Sequence, residues 1–232
     1  MKNFFLVSLL FITFLISGCI LKTAIQTNQQ QSTNQSKNWQ TFSDPIVGFI
    51  LKYPANVELK DINDLLQDNN LTITVSSNKI ELLDSPLGFN KETALKDREA
   101  LSKGEYGYRW VDLPIEDSMS VVKIGNKYGK SFTVFGRFEV CDVTFERRLV
   151  FYNNDYQIVI TLRGAKDGII SSMPEYFDFD EDNCFDIMVW NRKEDEQIQN
   201  KFYQTLLNNN SLPAAQEWFD TFDEIIKTIE IY

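Results

Sequence analysis

The densest group of cation-binding side chains is Asp178-Phe179-Asp180-Glu181-Asp182-Asn183, with carboxylates at alternate positions just before Cys184. Calcium takes six to eight hard oxygen ligands, so Asp178, Asp180 and Asp182 are the candidate start of a calcium loop. The rest of such a loop is missing. Asn183 stands where a glycine should make the turn, and Val189 where a glutamate should close the shell. A solvated acidic loop is the competing reading, and no other cofactor is expected. For acid–base work, Glu105 with Asp117, or Glu146 with a neighbour, offers a carboxylate pair, but nothing in the spacing selects one. No catalytic residue is therefore assigned. Glu146-Arg147-Arg148, on a candidate strand, reads as a surface ion-pair patch. The chain has no histidine, which excludes Ser-His-Asp and Cys-His hydrolases and histidine-ligated zinc, haem or copper.

The three cysteines carry the sharper signal. Lys2 is the only charge before Cys19, and Phe4 to Ile16 is almost wholly apolar, the pattern of a secretory signal. The run closes on Ile16-Ser17-Gly18-Cys19, which resembles the lipobox of bacterial lipoproteins, with Ile16 where leucine is more usual. The resemblance implies cleavage after Gly18 and a diacylglycerol on the Cys19 sulfur. Two alternatives stand beside it. Phe4 to Leu21 is just long enough to cross hydrocarbon at about 20 residues, and an ordinary signal could be cut nearby. Ile20 in place of aspartate implies sorting to the outer membrane where a cell has two. With Cys19 lipidated, Cys141 and Cys184 form an even pair in an exported protein and read as a disulfide. It would close a loop of about 44 residues and contribute about 3–4 kcal/mol. Two separate buried thiols are the alternative.

Charge narrows the partners. Removing residues 1–18 takes one of the 23 basic residues and none of the 33 acidic ones, so 22 remain against 33, a net charge of −11. Such a surface repels nucleic-acid backbones and anionic headgroups, so no nucleic acid is expected and the membrane is reached through the lipid anchor. Charged residues at 24% and aromatics at 13% describe an ordinary globular chain.

The elements that would position these groups follow from periodicity. Residues 1–18 are the expected signal peptide, and 19–37, rich in Gln, Asn, Ser and Thr, a flexible tether reaching about 20–25 Å. Residues 38–232 are expected to be a single domain. Val47 to Tyr53, stopped by Pro54, reads as a strand, as does Leu71 to Ser76, with Lys79 to Leu83 as its partner. Lys91 to Ser102 reads as a helix. Met119 to Ile124, Ser131 to Phe138, Val143 to Tyr152 and Gln157 to Arg163 read as strands, the last two joined by a hairpin at Asn153-Asn154-Asp155. Glu194 to Leu207 reads as a helix. Ala215, Trp218, Phe219, Phe222, Ile225, Ile226 and Ile229 make the apolar stripe of another, with Pro213 in its first turn and a closing strand at Ile229 to Tyr232. Alternating aromatics (Tyr106, Tyr108 and Trp110; Phe177 and Phe179) could stack on a ligand, but in a sheet-rich domain that pattern lines the core. Strands followed by helices give an α+β fold class, a central antiparallel sheet flanked by helices.

Trp39-Gln40-Thr41-Phe42, then Gly48-Phe49 and Lys52-Tyr53-Pro54, resembles the opening of small exported bacterial proteins with PsbP-like domains. The segment from Trp218 to Ile229, with Phe222-Asp223-Glu224-Ile225-Ile226-Lys227-Thr228-Ile229, is similar to their closing element. The two matches bracket residues 39–232, with Val47 where tyrosine is more typical. The resemblance implies a central antiparallel sheet sandwiched by helices, and no functional residue comes with it. The function expected is a lipid-anchored extracytoplasmic protein, at the cell membrane or outer membrane, with a binding or accessory role. An envelope hydrolase using a carboxylate pair and a purely structural envelope lipoprotein are the alternatives.

Overall fold

Half-apolar strands must bury one face, and the described residues do so with two sheets and four helices, an α+β architecture. The computed structural model describes residues 38–61, 70–84, 90–107, 114–138, 142–172 and 192–232. All lie within one compact unit, Lys37–Tyr232. Cys19, Cys141, Cys184, Asp178, Asp180, Asp182, Tyr108, Trp110, Phe177 and Phe179 lie outside the described residues.

A three-stranded sheet has the order β1-β2-β9, from β1 (Trp39–Asp44), β2 (Phe49–Pro54) and β9 (Glu230–Ile231). The six-stranded sheet has the order β3-β4-β8-β7-β6-β5. Its strands are β3 (Glu58–Lys60), β4 (Thr72–Lys79), β5 (Ser120–Ile124), β6 (Lys127–Phe138), β7 (Asp142–Asn153) and β8 (Tyr156–Arg163). Every pairing is antiparallel except the parallel edge of β3 on β4. The helices are α1 (Lys91–Ser102), α2 (Lys166–Ser172), α3 (Arg192–Leu207) and α4 (Pro213–Ile226).

Local chemistry explains the boundaries. The β7–β8 hairpin turns where expected, with Asn153 opposite Tyr156 and Asn154 in the left-handed region at φ 52°. Asn90 and Thr93 cap α1 reciprocally, and Glu92–Lys96 and Glu99–Lys103 pair along its outer face. Pro213 opens α4, where its missing N–H costs nothing. The expected strand over Lys79 to Leu83 does not form. β4 instead runs on to Lys79 and pairs with β8, after which Ile80–Leu82 makes a 3₁₀ turn that buries Ile80 against α1.

Strand alternation gives the large sheet two unlike faces. One is apolar: Phe145, Leu149 and Phe151 of β7, Ile158, Ile160 and Leu162 of β8 and Ile73 of β4 are all buried there. This face meets α4, whose Ala215, Trp218, Phe219, Phe222 and Ile225 are buried, and also meets β2 through Phe49. Phe49 stands edge-on to Phe151 with ring centroids 5.7 Å apart. The buried Asn153 ties the two sheets by donating from Nδ2 to the carbonyls of Val47 (2.7 Å) and Gly48 (3.1 Å). Gly48 is required at its place. Its φ is +85°, and a Cβ there would lie 2.6 Å from the Tyr232 carbonyl oxygen.

Candidate functional site

The other face of the large sheet carries the charges. Because alternate residues share a face, Lys130 (β6), Glu146, Arg148 and Tyr152 (β7), and Gln157 and Arg163 (β8) all project from this side. α1 covers one end of it. Ala94, Asp97 and Leu101 follow helical spacing, and all three are buried. Asp97 is thus a carboxylate at a core position of the helix.

Its partners account for it. Lys130 Nζ donates to Asp97 Oδ1 at 2.7 Å, and both side chains are 0% exposed. The Tyr152 hydroxyl donates to Oδ2 at 2.7 Å and accepts from Gln157 Nε2 at 3.1 Å. The Tyr106 ring lies 5.7 Å from Lys130 Nζ. Burial pulls the Lys130 ammonium down from its ordinary value while Asp97 opposes the shift. Burial, reinforced by the neighbouring carboxylate, pushes the Tyr152 phenol up.

A raised tyrosine pKa fixes the sign of an alkaline effect. Below the ordinary value of 10.0 both folded and unfolded chains keep the Tyr152 proton. Above it only the unfolded chain releases the proton, so stability falls as pH climbs toward the folded value. Tyr203, also raised by burial, adds in the same direction. Tyr152→Phe is expected to flatten the decline in melting temperature above pH 10.0. A decline identical in both proteins would mean this hydroxyl titrates freely.

Along the same face, Glu146 sits between two guanidiniums. Arg148 Nε donates to Oε2 at 2.6 Å and Arg163 Nε to Oε1 at 2.7 Å. Glu146 is 1% exposed, against 16% and 22% for the two arginine side chains. Arg147, pointing the opposite way, is buried against α4. It donates to the Phe219 carbonyl at 2.5 Å, pairs with Asp223 at 3.0 Å, and lies over the Phe219 and Phe222 rings. Burial pulls its guanidinium down while Asp223 opposes, and the group stays charged. The expected surface patch over Glu146-Arg147-Arg148 is therefore corrected. Glu146 and Arg147 are buried and Arg148 is half-buried, so the charges of this stretch are taken up by partners within the fold.

The sequence-selected carboxylates stand in unlike surroundings. Glu105 and Asp117 are both exposed, and Glu146 has arginines around it rather than a second carboxylate. Among the described residues no group of three or more His, Cys, Asp or Glu side chains could hold a metal ion. Sequence reasoning missed Asp97, Lys130, Tyr152 and Gln157. The available signal was a charge at a helical core position: Asp97 lies three residues after Ala94 and four before Leu101.

No family model matches this chain, and no curated protein does. Among solved structures, the chain is similar to the solution structure of cyanobacterial PsbP (CyanoP) from Synechocystis sp. PCC 6803. The identity is 10% and the TM-score 0.30, over 87% of this chain and 96% of that one.

Proposed function

We propose that this chain is an extracytoplasmic lipoprotein, held to its membrane by acyl groups on Cys19, whose α+β domain serves as a binding or accessory module. The observation that carries the reading is Ile16-Ser17-Gly18-Cys19 closing an apolar run that has one charge before it. The composition of residues 20–37, rich in Gln, Asn, Ser and Thr, supports it, because such a stretch suits a tether. A diacylglycerol supplies two chains, and anchoring that lasts needs more than one. An accessory role fits the use of the buried charges, since Asp97, Lys130, Glu146 and Arg147 are spent on internal partners.

The test is metabolic labelling with a fatty acid. The wild-type chain is expected to take up label and partition into detergent, and Cys19→Ser to remain unlabelled with Gly18 uncleaved. Label persisting in Cys19→Ser would overturn the anchor. For the role, crosslinking in intact cells is expected to give one defined adduct through the domain. Turnover of envelope polymer by the purified protein would instead establish the hydrolase.

A further inference from the structure

Asp97 and Lys130 bring a primary amine against a carboxyl group in a place closed to water. Nζ lies 2.7 Å from Oδ1, both side chains are fully buried, and the Tyr152 hydroxyl holds Oδ2 at 2.7 Å. Gly107 lies so close that a Cβ there would sit 2.3 Å from Oδ1. Ile80, Ala94 and Leu101, with the ring of Tyr152, form an apolar cluster beside the pair. These are the conditions an amide-forming condensation requires. The amine and the carboxyl group are already held in direct contact, so little further approach is needed. A low dielectric penalises their charged forms and so makes neutral amine and neutral acid accessible. A donor is already aimed at the acyl oxygen that will gather negative charge, and water is excluded.

We propose that Lys130 and Asp97 condense to an intramolecular isopeptide bond, which joins α1 covalently to β6. The Lys130 ammonium first gives a proton to Oδ1, leaving a neutral amine beside a neutral acid. Burial lowers the Lys130 pKa and so eases this step. The Nζ lone pair attacks Cγ, forming the C–N bond and moving the carbonyl electron pair onto Oδ2, where the Tyr152 hydroxyl stabilises it. A second proton passes from Nζ to Oδ1, the Cγ–Oδ1 bond breaks, and one water departs. The two protons and the oxygen in that water come from the pair itself. Nothing is oxidised or reduced, and no co-reactant enters. Tyr152 is the catalytic donor, and Gly107 permits the closure.

The test is a tryptic peptide map of the full-length protein, denatured after folding. Trypsin cuts after Lys96, Arg98, Lys127 and Arg137, while an acylated Lys130 resists it. The expected product is Asp97–Arg98 joined to Tyr128–Arg137, lighter than the two peptides together by one water. Asp97→Asn should give the same linked peptide by losing ammonia, Lys130→Arg should give none, and Tyr152→Phe should form it more slowly. Recovery of free Tyr128–Lys130 in the amount of other peptides, with no linked species, overturns the proposal and leaves an ordinary ion pair. The wild-type map decides this alone if a variant fails to fold.

Discussion

Trp218→Ala is expected to remove about 3–5 kcal/mol of stability, the range for truncating a buried aromatic. A domain of this size has about 5–15 kcal/mol in all, so the variant should be largely unfolded at moderate urea. Trp218 is 0% exposed at the centre of the apolar face, between α4 and β8. Its Nε1 donates to the Leu162 carbonyl at 3.1 Å. The chain makes room for the indole at Gly164, where a Cβ would meet Ile169 Cδ1 at 2.0 Å and Trp218 Cγ at 3.3 Å. Truncation therefore leaves a cavity and takes the indole's hydrogen bond from the Leu162 carbonyl, which is left with its partner in the β7–β8 ladder, two separate costs. Trp218→Phe keeps most of the volume and loses the hydrogen bond, so about half the effect or less is expected. Leu212→Ala, at an exposed position before the same helix, should stay within about 0.5 kcal/mol. Urea midpoints followed by far-UV circular dichroism give the comparison. A Trp218→Ala midpoint equal to that of Leu212→Ala would mean that α4 does not organise the core.

The α4 stripe was legible because a helix buried on one face writes its contacts at three- and four-residue spacing, and Ala215, Trp218, Phe219, Phe222 and Ile225 keep it. The β7–β8 hairpin was legible from Asn153-Asn154-Asp155, and α1 from its charged run between Asn90 and Gly104. The sheet's second face was not. A strand covered on both sides can carry charges inward on one face and apolar residues on the other, and alternation alone gives the same pattern as a strand facing water. Glu146 and Arg147 therefore look solvated in the sequence and are buried in the fold. Likewise Lys130, flanked by Gly129 and Ser131, gives no local sign that it meets Asp97, which lies 33 residues earlier on α1. Pairings of that separation are set by strand order, which local periodicity does not encode. The split into two sheets was hidden for the same reason: β9 closes against β2 only after the whole domain has been traversed.

The arrangement around Glu146 predicts an order of effects that a surface patch would not produce. Glu146→Ala takes the carboxylate from between Arg148 and Arg163 and leaves two like charges facing each other in a mostly buried position. The expected cost is about 3 kcal/mol, the low end for breaking a buried pair because both guanidiniums keep some contact with solvent. Arg148→Ala or Arg163→Ala alone leaves Glu146 with one guanidinium, so each should cost about 1.5 kcal/mol, the value of a charged hydrogen bond. Removing both arginines together strands the carboxylate at 1% exposure, and the double variant should lose more than the two singles combined. That excess is the diagnostic quantity, because exposed ion pairs at a surface give singles within about 0.5 kcal/mol and doubles that add. Glu146→Gln keeps the shape and one acceptor oxygen, so it should fall between wild type and Glu146→Ala. If all five variants instead melt together and additively, the charges of β7 are solvated and contribute nothing to holding the sheet's second face. If the order holds, that face is kept in register by a carboxylate that only β7 and β8, correctly paired, can surround with two arginines.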